Sequence, residues 1–83
     1  MTALSVHNAN LTRQALQFID VDDWSGAHEL VQGENGTLFY LIHAYLHRAE
    51  GDLVNAAYWY KRAGAKLPEL PLREELVRLK RMV

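Results

Sequence analysis

The sequence predicts an all-α protein of about five helices, and three observations predict it. Apolar residues recur at three- and four-residue spacing through most of the 83 residues, without the strict alternation of a half-buried strand. Clusters of Asp, Asn and Gly interrupt that pattern around Asp20-Val21-Asp22-Asp23, Gly33-Glu34-Asn35-Gly36 and Gly51-Asp52, where caps and positive φ are at home. Pro68 and Pro71 fall together in one connector, so no helix interior carries a proline. A chain this short builds one core, and residues 1–83 read as a single domain.

From Ala9 to Ile19, the residues Leu11, Ala15, Leu16 and Ile19 share one helix face. Asp22 or Asp23 then caps a second helix, about Trp24 to Gln32, whose inner face carries Trp24, Ala27, Leu30 and Val31. The third helix, about Thr37 to Glu50, is apolar nearly all round from Leu38 to Leu46, which places it at the centre of the fold. Gly51 ends it, and Asp52 caps a fourth helix, about Leu53 to Lys66. The inner stripe of that helix is Leu53, Ala56, Ala57, Tyr60, Ala63 and Leu67. Pro71 opens a fifth helix as its first residue, with Glu74 and Glu75 in the first turn and Lys80 and Arg81 in the last. Its inward stripe is Leu72, Leu76, Leu79 and Val83, and its charges read as a solvated face. Short connections make neighbours antiparallel, giving hairpins over about 9–33 and 37–68 and a capping helix over about 71–83.

Composition excludes several classes of function. The net charge is −1 and the nine basic residues are scattered, so no nucleic-acid footprint is present. With no Cys, disulfides, thiolate metal sites and Cys nucleophiles are impossible. The opening MTALSVHNAN lacks the basic and apolar regions of a leader. The longest apolar stretch, Leu38 to Leu46, falls far short of the ~20 residues that span a bilayer. The expectation is a cytoplasmic protein with neither a nucleic-acid nor a membrane partner.

Residues 37–70 resemble a tetratricopeptide repeat. Tyr40 stands for the large aromatic of the repeat, Ala44 for its small Gly and His47 for its Tyr. Ala56 and Tyr60 supply the small and large positions of the second helix, Gly51-Asp52 the corner between helices, and Pro68 the close. Upstream, Trp24, Ala27 and Val31 echo Leu53, Ala56 and Tyr60 in a degenerate first hairpin. The resemblance implies a right-handed stack of antiparallel helical pairs and a role in binding other proteins. The inner face of the third helix, Leu38, Leu41, Tyr45 and Arg48, is too apolar for a clamp on peptide carboxylates. The longer pattern H-A-x-L-H-R-x-E-G-D-x-x-N-A-x-Y-W-Y is also similar to a group of small uncharacterised bacterial and fungal proteins, which implies no activity.

Two residues depart from the repeat. His43 stands where it has Leu, and His47 where it has Tyr, four positions apart on one face, with Glu50 a turn further on. Two imidazoles and a carboxylate can hold zinc or another divalent metal with a coordination position open. His28 and Asp52 join such a set only if the fold brings them close. The competing reading makes His43 and His47 structural, hydrogen-bonded to Tyr60, Asp52 or Asn55, and the sequence favours it. His28-Glu29-Leu30-Val31-Gln32 begins like a zinc-protease motif, but Gln32 occupies the second His position, so a peptidase is rejected.

Tyr58, Trp59 and Tyr60 are consecutive and point in directions about 100° apart on a helix. Tyr60 faces inward. Tyr58 and Trp59, with Tyr45 and Arg48, are the candidate partner surface, since aromatics and Arg anchor interfaces; the alternative is that the fifth helix covers them. Two hairpins and a cap leave an apolar face open, which a homodimer would cover. The expected function is therefore a protein-interaction module without catalysis or cofactor. The alternative is a metal-binding protein or metal-dependent enzyme built on His43, His47 and Glu50.

Overall fold

The computed structural model describes residues 6–83, so the first half of the segment read for a leader lies outside it. Five helices follow in order: α1 Val6–Asp20, α2 Trp24–Val31, α3 Thr37–Ala49, α4 Leu53–Arg62 and α5 Leu72–Arg81, with no strand among the described residues. The ends follow from local chemistry. Asp23, not Asp22, caps α2, its Oδ1 accepting from the Gly26 amide at 2.9 Å. Asp22 instead takes φ 60° in the turn, a conformation that Asp tolerates better than most residues. Asp52 caps α4 by accepting from the Asn55 amide at 3.2 Å.

α1 is already helical at Val6, ahead of the expected Ala9, and two further boundaries differ from the sequence expectation for local reasons. α4 stops at Arg62 because Gly64, at φ 77°, turns the chain so that the Ala65 amide bonds back to the Tyr60 carbonyl at 2.9 Å. Pro71 is the N-cap of α5 rather than its first residue, with extended φ −60° and ψ 153°.

α3 is the central helix and touches all four others. Its buried residues run from Leu38 through Phe39 and Ile42 to His47. α1 and α2 form one pair against it, with Ala15, Leu16, Ala27 and Val31 in the shared core. α4 forms the second pair, approaching α3 where Ala44 and Ala56 are both fully buried beside Tyr60; side-chain size at the crossing sets how near two helices come. α4 is buried along a narrower face than its apolar pattern suggests. Leu53 is 53% exposed and Ala57 is exposed, because no helix among the described residues covers the outer side of α4; Leu67, 38% exposed, lies beyond its end. Leu79 of α5 is core, and Leu72, Leu76 and Val83 pack against it.

One acidic residue of α5 is internal. Glu75 is 4% exposed. It accepts from Arg48 Nη1 at 2.8 Å and from the Tyr60 hydroxyl, while Arg48 Nη2 donates to the Leu70 carbonyl. This network ties α3, α4, α5 and the proline connector together. Burial first, and then the hydrogen bond to Glu75, push the Tyr60 hydroxyl far above its usual pKa.

Candidate metal centre

Three histidines from the two hairpins meet between α2 and α3. His43 and His47 come from one face of α3, one turn apart, and His28 comes from α2. His28 reaches them because it shares a helix face with Trp24, Ala27 and Val31, and Ala27 and Val31 are packed into the core. His43 Nε2 lies 3.1 Å from His28 Nε2 and 3.1 Å from His47 Nε2. The ligating nitrogens of all three fall within 4.8 Å of one another. A tetrahedral zinc ion with Zn–N distances of about 2.0–2.1 Å separates its ligand nitrogens by about 3.3 Å.

These contacts cannot all be hydrogen bonds. A ring nitrogen has one in-plane site, which holds either a proton or a lone pair. Glu50 Oε2 sits 2.6 Å from His47 Nδ1, so a neutral His47 carries its proton there and directs a lone pair from Nε2. His43 Nε2–H can then donate to His47, but it has no lone pair left to receive His28. If His43 Nε2 carries the lone pair instead, it opposes that of His47. His43 Nδ1 is also buried with no hydrogen-bond partner among the described residues, and that group stays unpaired whichever way Nε2 is used. A cation shared by the three Nε2 atoms would remove the Nε2 conflict, because each ring could then offer it a lone pair.

The structural alternative fares differently at each expected partner. The Tyr60 hydroxyl is taken by Glu75, and the Asp52 carboxylate caps α4. Glu50, expected as a third ligand, bonds the opposite edge of the His47 ring from the one that faces the cluster. It therefore orients the His47 ring, as carboxylates behind metal-bound imidazoles do. A second group, His47, Glu50 and Asp52, also lies close together, with both carboxylates exposed.

Indoles wall the cluster. Trp24 stacks on His28 with ring centroids 4.7 Å apart and 11° between planes, and its Nε1 donates to the Leu46 carbonyl at 2.7 Å. Trp59 stacks on His43 at 3.9 Å and 15°. Trp59 is thus covered by the His cluster and by Tyr40 and Arg62, not by α5. Tyr40 is half-buried at the rim, bonded to Asn35 Oδ1 and carrying the Arg62 guanidinium 4.6 Å from its ring centre. Of the other expected surface residues, Tyr58 is 54% exposed, but Tyr45 is only 7% exposed. Arg48 is held by Glu75 and Leu70. Tyr45 and Arg48 therefore belong to the interior, the first through its apolar surroundings and the second through its buried ion pair.

Burial lowers the pKa of His43 to about 4, and the neighbouring charges of His28, His47 and Arg62 act in the same direction. His28 is also lowered, mainly by burial and then by His47, against the opposing pull of Glu50 and Glu29. An unfolded chain takes up these protons near pH 6.5, before the folded chain does. Stability of the metal-free protein is therefore complete above that pH and falls as the pH drops towards 4. His43 alone accounts for a loss of roughly 3 kcal/mol. Urea denaturation between pH 7.5 and 4.5 reads this slope, and His43→Leu flattens it.

The pairing of His43 and His47 is visible in their i,i+4 spacing, whereas the place of His28 depends on the packing of α2 on α3. The signal for His28 was its i,i+4 relation to Trp24 on the face that also carries Ala27. No helix among the described residues is long and apolar enough to cross a membrane. No family model matches this chain, and neither a curated protein nor a solved structure is significantly similar to it.

Proposed function

We propose that this chain is a metal-binding protein that holds a divalent transition-metal ion, zinc foremost, on Nε2 of His28, His43 and His47. The observation that carries the proposal is the convergence of three Nε2 atoms, 3.1 Å apart at two of their contacts, in an arrangement that neutral imidazoles cannot satisfy among themselves. An all-nitrogen, borderline-soft donor set suits zinc, copper, nickel or cobalt and not magnesium or calcium, which require oxygen ligands. Because His28 comes from the first hairpin and the other two from α3, the ion would pin the two hairpins together. Metal analysis of protein purified without a His tag tests this. About one equivalent of zinc after exposure and desalting is expected, falling below a tenth of an equivalent in His43→Leu. Wild-type protein that retains no metal contradicts the proposal.

A second reading keeps the tetratricopeptide-like interaction module. It is favoured by the uncovered outer face of α4, where Val54 is 86% and Tyr58 54% exposed. Its surface reduces to Tyr58 and the rim of Trp59, since Tyr45 and Arg48 are internal. A homodimer through α4 would cover this face, and the mass in solution tests that arrangement.

A further inference from the structure

We infer that an ion held by the three histidines keeps one coordination position open for a small exogenous ligand: water or hydroxide at rest, and a monodentate inorganic anion in competition with it. The inference rests on the metal-binding reading above and concerns what the bound ion can do.

Four observations support it. First, the donor set stops at three: the cluster that faces the focus contains His28, His43 and His47 and no fourth His, Asp or Glu among the described residues. Structural zinc sites are closed by four protein ligands, whereas sites with three retain a position for solvent or substrate. Second, the nearest carboxylate is committed elsewhere. Glu50 bonds His47 Nδ1 at 2.6 Å, and Nδ1 and Nε2 direct their in-plane sites away from each other, so Glu50 cannot close the shell through that ring. Asp52 is committed to the α4 amide.

Third, access is one-sided. His43 and His47 are buried at 4% and 7% exposure, while His28 is only half-buried, so the ion is approached along the His28 side. The indoles of Trp24 and Trp59 stack on His28 and His43 and wall the cluster beside that approach. Fourth, none of the three donors is an anion. Three neutral imidazoles place no anion in direct contact with the ion, whose charge is offset only from behind His47 by Glu50, and a small anion is a ligand that such a centre attracts. The same charge acidifies a bound water. The position therefore offers metal-bound hydroxide near neutral pH.

The test uses the full chain loaded with Co(II), whose visible d–d bands report coordination number, titrated with sodium azide. Intense tetrahedral bands that shift with 1:1 saturation on adding azide, in a protein that remains a monomer, are expected. Tetrahedral bands that do not respond to azide overturn the open position while leaving the metal site standing. So does a cobalt-dependent dimer in which a second copy supplies the fourth donor. Absence of any protein-bound cobalt spectrum overturns the metal-binding reading itself, and this inference with it. His28→Ala serves as a control on the same titration: it removes a ligand from the accessible side, and the tetrahedral bands weaken at least several-fold.

Discussion

Zinc in about hundredfold excess over its dissociation constant is expected to raise the thermal midpoint by roughly 10–20 °C. Binding at that saturation contributes about 2.7 kcal/mol, and a domain of this size moves by about 4–8 °C per kcal/mol. The gain requires all three nitrogens, so His28→Ala, His43→Leu and His47→Ala each abolish it. The variants differ when metal is absent. His43 has a buried Nδ1 without a partner among the described residues and an Nε2 caught between two others. His43→Leu removes that conflict and keeps an apolar group against Trp59. Its metal-free stability is expected to equal or exceed that of wild type, because a buried polar group left unmatched costs about 1–3 kcal/mol. A variant that is at least as stable yet blind to zinc separates a ligand from a structural histidine. Differential scanning fluorimetry with and without zinc reads both quantities. A His43→Leu protein that still gains stability from zinc contradicts this assignment.

The second large effect lies at Glu75. Glu75→Ala leaves the Arg48 guanidinium buried without its anion and the Tyr60 hydroxyl without its acceptor. Breaking a buried pair by removing one partner typically costs about 3–5 kcal/mol, a large share of the stability of a small domain. Urea denaturation is expected to show a loss in that range, with α5 released from α3. A loss under about 1 kcal/mol would show that the network contributes little. Glu75 bonds Arg48 and Tyr60 and none of the three histidines, so the zinc response should persist in any Glu75 variant that still folds.

The fold was legible in this sequence because its elements are punctuated strongly. Asp23 and Asp52 cap as their positions suggest, Gly51 takes positive φ at the end of α3, and the apolar run of α3 marks the central helix; Gly64, which the sequence places inside α4, instead ends it. What escaped were properties decided by tertiary neighbours. Glu75 fits the N-terminal turn of α5 as a helix-dipole charge; nothing local signals that Arg48 and Tyr60, 27 and 15 positions away, enclose it. The exposure of Leu53 reflects the missing cover over α4, which an apolar pattern cannot reveal. For the candidate site, the i,i+4 spacing of His43 and His47 was visible, and Glu50 was rightly near. Its role could not be read from spacing, because one turn of helix places a carboxylate equally well at either edge of an imidazole. His28 depended on how α2 packs on α3.

The most direct measurement is X-ray absorption at the zinc edge of the zinc-loaded wild-type protein in solution. The geometry predicts a four-coordinate ion with three imidazole nitrogens at about 2.0–2.1 Å, visible through the multiple scattering of three ordered rings, and one light-atom ligand. A six-coordinate shell dominated by oxygen, or one with fewer than three imidazoles, would contradict the convergence of His28, His43 and His47 on a single ion.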